Sequence, residues 1–120
     1  MFNYIILDNN VYYLIFENVS QEEFNKYDKF LNLLYTSKIN FKIFYDLTKL
    51  TMTDCTYCYQ QIQIMKKYKE LTKQYLDKSA ILLTNTYVTN ALELIFQNIT
   101  PTSPNYVGNT KEDCLNFLLK

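Results

Sequence analysis

The sequence predicts a single α/β domain, 1–120: a mixed, mostly parallel sheet with an antiparallel N-terminal hairpin and helices packed mainly on one side. Three observations carry that expectation. The chain has 120 residues, enough for one domain with no room for a second. Short β-branched and aromatic runs alternate with longer segments of helical period, which implies right-handed crossovers between parallel strands. The first two strand-like runs are separated only by a polar turn, so they pair as a hairpin.

In chain order, the runs "NYIIL" and "VYYLIFE" flank Asp8, Asn9 and Asn10 as that hairpin. Ser20 and Glu23 then have the spacing of a capping box and open a helix. Phe24, Tyr27, Leu31, Leu34 and Tyr35 recur along it at helical intervals and form one apolar stripe. "INFKIFYDL" is apolar on both faces at its centre, as a central strand should be. A long helix is expected from about Asp54 to Leu76, with Cys58, Ile62, Met65, Tyr68 and Leu71 on its buried stripe. "SAILLTN" is a short strand, "TYVTNALELIFQN" a third helix and "NYV" an edge strand. Thr110 and Asp113 cap a last helix, with Leu115, Leu118 and Leu119 inward. The order is ββαβαβαβα.

Composition excludes several classes of function. Twelve lysines balance twelve acidic residues, so no global field steers the chain to nucleic acid. The opening residues lack a basic region and Asp8 interrupts their apolar run, which predicts no signal peptide. The most apolar helix candidate is too short to span a bilayer and contains Glu93. Three cysteines, an odd number, suit a reducing compartment and a cytoplasmic location. There is no histidine, no arginine, no glycine-rich phosphate loop and no Gly-x-Ser-x-Gly elbow, so the expectation is a protein that is not an enzyme.

The stretch "FYDLTKLTMTDCTYC", 44–58, carries most of the candidate chemistry. Cys55 and Cys58 form a Cys-x-x-Cys near a helix start, where the dipole favours a thiolate. The intervening Thr-Tyr and the absence of a suitably placed proline argue against a thioredoxin-like site, and Cys58 falls on the apolar stripe. A closed zinc site would have to recruit Asp54 beside the cysteines; no metal and no cofactor is expected. Lys66, Lys69 and Lys73 share a helical face that reads as the solvated back of an amphipathic helix. On the third helix, Leu92, Leu94, Ile95 and Phe96 cannot all face one core. They are expected either to be buried between the sheet and the last helix or to form a self-association face or an apolar ligand pocket.

The element order together with "DLTKLTMTDCTY" resembles STAS domains, the fold of bacterial anti-sigma-factor antagonists. Asp46-Leu47-Thr48 matches the strand-end motif of that family, and Asp54-Cys55-Thr56-Tyr57 matches its Asp-Ser-Ser-Gly helix opening. The likeness covers nearly the whole chain in order, with motif identity over about a dozen positions. It implies that Thr56 stands at the phospho-acceptor position. A phosphate there would add about −1.5 to −2 charges at a helix N-terminus. Tyr57 replaces the motif glycine and Lys49 the glycine after the strand. The other reading makes Thr53 or Asp54 a helix cap, with Thr56 in the first turn.

Together these readings predict a regulatory, non-catalytic protein-interaction module. It would work through the strand-to-helix loop 48–57, with Asp46, Thr48, Asp54, Cys55 and Tyr57 as the interaction residues and Thr56 as the switch. Its partner would be another protein, or a second copy in a homodimer. The alternative is a carrier of a lipid or other apolar small ligand, using the third helix and the aromatic interior. A third reading is a thiol redox protein using Cys55 and Cys58.

Overall fold

A computed structural model describes residues 3–17, 20–50 and 55–120, without the side chains of Asn9, Cys55 and Thr56. It contains one five-stranded sheet in the order β1-β2-β3-β4-β5, so every strand lies beside its sequence neighbour. β1 (Asn3–Leu7) and β2 (Val11–Ile15) pair antiparallel through a single 3-10 turn, with Asn10 at a positive φ of 59°. β2, β3 (Phe41–Asp46), β4 (Leu76–Leu82) and β5 (Asn105–Gly108) are all parallel.

Three crossovers in one direction, right-handed by the general rule for parallel strands, place their helices on one face of the sheet. These are α1 (Gln21–Thr36), the pair α2 (Cys55–Lys67) and α3 (Lys69–Tyr75), and α4 (Thr86–Asn98). Two caps read from the sequence are present: Ser20 Oγ accepts from the Glu23 N–H, and Thr110 Oγ1 from the Asp113 N–H, each at 3.2 Å. After β5, α5 (Lys111–Leu119) folds over the opposite face. There Cys114 and Leu118 seal Val11, Tyr13, Phe44, Ala80 and Leu82.

Five local expectations are corrected. The long helix is bent at Tyr68, whose ring is buried against Tyr35 at 5.2 Å. Tyr68 itself leaves helical values (φ −102°, ψ 12°), while the backbone bonds Tyr68 N to Ile64 O and Thr72 N to Tyr68 O carry across the break. Leu76 is no longer helical but the first residue of β4, and Leu71, past the bend, is exposed. Leu119 also points to solvent, and Cys114 takes the inward place beside Leu118. Finally, α4 does not lie between the sheet and the last helix, because α5 covers the other face; its partner is α2. Lys66, Lys69 and Lys73 are exposed, and among the described residues no helix is long and apolar enough to cross a membrane.

Candidate functional site

The candidate site begins at the C-terminal end of β3. Asp46 is buried there, and its carboxylate accepts from the Thr48 N–H at 2.9 Å, the Thr48 hydroxyl at 2.6 Å and the Tyr13 hydroxyl. A carboxylate accepting from the backbone two residues on is an Asx-turn, which lets the chain leave the sheet with its polar groups paired. Burial pushes the Asp46 carboxyl up, but the bonds from Thr48 and Tyr13 and the nearby Lys111 outweigh it, holding the group below its ordinary value. Leu47 continues the ladder by donating to Leu82 O at 2.9 Å, and Leu50 turns inward to pack with Ile81, Leu83 and Val88.

Residues 51–54, and with them Asp54, lie outside the described residues, as do the side chains of Cys55 and Thr56. The chain is described again from the start of α2. Tyr57 is half-buried and stacks on Phe24 of α1, with centroids 5.6 Å apart and planes 4° from parallel. Cys58 is buried with Ile62 and Ile95, and its Sγ lies 4.0 Å from Ala91 O. A thiol in that place packs as a small hydrophobe. Among the described residues, no three His, Cys, Asp or Glu side chains converge as metal ligands.

The packing of α2 has a consequence for the interior. The α2–α4 cluster of Cys58, Ile62 and Ile95 stands apart from the clusters that sit on the sheet. α2 therefore leans on its neighbouring helix, and a chamber of about 190 Å³ remains between it and the strands. Its walls are predominantly apolar, with Phe16, Leu31, Leu50, Ile64, Ile81 and Val88 among them. Of the four α4 residues singled out by sequence, Leu92, Ile95 and Phe96 line the chamber, while Leu94 points away and is exposed. Leu47 and Leu50, just after β3, and Tyr57 and Cys58, at the start of α2, also line the chamber.

Polar groups punctuate this wall in fixed pairs. The Tyr27 and Tyr45 hydroxyls are 2.8 Å apart, and Gln61 also bonds Tyr27. Tyr35 pairs with Thr72 at 2.6 Å, and Asn105 donates to Ser79 at 2.7 Å. Burial is the main cause raising all three phenols, with Tyr35 pushed up to about 12. They stay protonated across the ordinary pH range. Glu23, at 7% exposure, is the one charged side chain among the described lining residues, and no lysine is among them.

Sequence reasoning missed this polar set. Tyr27 and Tyr35 read only as members of an apolar stripe, though a buried phenol needs a hydroxyl partner, and that was the available signal. Gln61 and Ser79 gave none. No protein-family model matches the chain, and no curated protein matches it either.

Proposed function

We propose that this domain is a non-catalytic binding module that holds an apolar small molecule between its sheet and the α2–α4 layer. The observation that carries the reading is the chamber itself. At roughly 24 cal/mol for each Å³ of cavity, a space of about 190 Å³ left dry would cost at most about 4–5 kcal/mol, less in proportion as its open side admits water. Typical domains have a total stability of only about 5–15 kcal/mol. Water is a poor filling, because most of the wall offers it no hydrogen bond. A cavity of about 150 Å³ accepts benzene, so this one suits a ligand of about ten heavy atoms.

The expected regulatory role fits the same chamber. Leu47, Leu50 and Tyr57 are at once wall and loop, so a ligand pressing on them alters the surface that a partner protein would meet. We read loop 48–57 as that partner-facing element and the domain as STAS-like. The strand order and the helices gathered on one face support that reading. The phospho-switch at Thr56 belongs to the same proposal. Thr48 takes a more structural part in it, since its hydroxyl is turned inward to Asp46.

Native mass spectrometry of the gently purified chain, beside Ala91→Phe, tests the proposal. Ala91 lines the chamber beside the α2–α4 contact, so a phenyl ring there should compete with a ligand for its space. Wild type should retain a small-molecule mass or take up added indole, with slower amide exchange at 47–50 on uptake, and Ala91→Phe should do neither. A wild type that stays apo in the presence of indole would sink the ligand reading. Uptake with unchanged exchange at 47–50 would sever the loop from the chamber.

A further inference from the structure

The chamber's chemistry also selects the kind of ligand, an inference that rests on the binding reading above. An apolar carrier is commonly asked to hold an anion, such as a carboxylate with a hydrocarbon tail. Such a ligand leaves water only if the protein returns the lost solvation through a cation or several N–H donors. Here the described wall has no lysine, and the chain has neither arginine nor histidine to supply a cation elsewhere. The sequence of 51–56, "TMTDCT", adds no cation either. The twelve lysines are spread over the remainder of the chain; Lys66 and Lys69, exposed on α2 and α3, line a neighbouring cleft that shares Phe96, Ile99, Thr100 and Thr102 with the chamber but not its Tyr27–Tyr45–Gln61 wall.

What the wall does offer is neutral or negative. Glu23 is buried on α1, and the Tyr27–Tyr45–Gln61 and Tyr35–Thr72 groups are uncharged and engaged with one another. Aromatic faces from Phe16, Phe24, Tyr57, Tyr68 and Phe96 surround them. Flat rings pack well against such walls in offset or edge-on geometry. A hydroxyl on the ligand can join the phenol–amide network as donor and acceptor without a change of charge.

We infer that the ligand is a compact, uncharged aromatic or alicyclic molecule bearing a hydroxyl, and that the chamber rejects the carboxylate of the same shape. Calorimetric titration of the full chain with 1-naphthol and with 1-naphthoate at neutral pH tests this. The two probes share a ring system and differ in charge. The expected result is naphthol binding at least tenfold tighter than naphthoate, with the preference reduced in Tyr45→Phe and naphthol lost in Ala91→Phe. Equal binding of both probes, abolished by Ala91→Phe, would overturn the charge selection while leaving the chamber as a ligand site. Binding of neither would overturn both. Naphthol binding that survives Ala91→Phe would place the probe outside the chamber and overturn both as well.

Discussion

Asp46 shows how a single residue can be prominent in a motif and still act structurally. Its carboxylate ties the end of β3 to Thr48 in the departing loop and to Tyr13 on β2, below the sheet face covered by α5. Because its folded pKa is depressed, the stability it contributes is present above the unfolded value of about 3.9 and is lost as pH falls through the lower folded value. Asp46→Asn should therefore cost about 1–3 kcal/mol near neutral pH. The gap to wild type should narrow as both are acidified below about pH 4. Urea titrations at neutral and acid pH measure it, and a gap that stays constant with pH would show the carboxylate charge to be irrelevant. In sequence, the hydroxyl caps at Ser20 and Thr110 were legible because they act on backbone three residues away. The Tyr13–Asp46 bond was not, because 33 residues separate its partners and only the β2–β3 register brings them together.

The elements were legible wherever period alone decides them. The hairpin, the central strand β3 and the stripe of α1 follow from alternation and helical spacing. The bend at Tyr68 does not, because Tyr68 continues the stripe and nothing in the local sequence breaks a helix. Its ring is drawn down into the α1–β3 core, and its hydroxyl reaches Asp28, which also pairs with Lys67 at 2.9 Å. A buried stripe also says which way a helix faces but not how far from the sheet it stands, so the chamber's place under α2 was not legible, and its one trace in the pattern was the excess of apolar residues on α4, of which Leu92, Ile95 and Phe96 line it. The α2–α4 contact is the strut that holds α2 off the strands. Ile62→Ala at that contact should lower stability by about 2–5 kcal/mol, measured as a shift in the urea midpoint with an unchanged slope. A loss well under 1 kcal/mol would mean that α2 is held in place by something other than α4.

At the scale of the whole molecule, sequential strand order has a consequence for packing. Three successive crossovers gather α1 to α4 on one face, and α5 alone serves the other. The α5 face is filled by tightly buried residues such as Phe44, Ala80 and Leu118, whereas the crowded face keeps its interior space. The aromatic bias of the chain, 17% of its residues, accordingly serves two ends: filling on one side and a ring-lined chamber on the other. Ligand that binds only the folded state must raise its stability by mass action, by about 2.7 kcal/mol at a hundredfold excess over Kd.

The most direct measurement is a methyl-resolved NMR titration of the full chain with indole, a neutral ring of fitting size. A ligand seated in the chamber should give saturable shifts in methyls of Leu50, Ile64, Ile81 and Ile95 on its wall, with those of the α5-side residues Val11 and Leu118 unmoved. No saturable shift in the wall methyls, or shifts spread evenly over both faces, would contradict it.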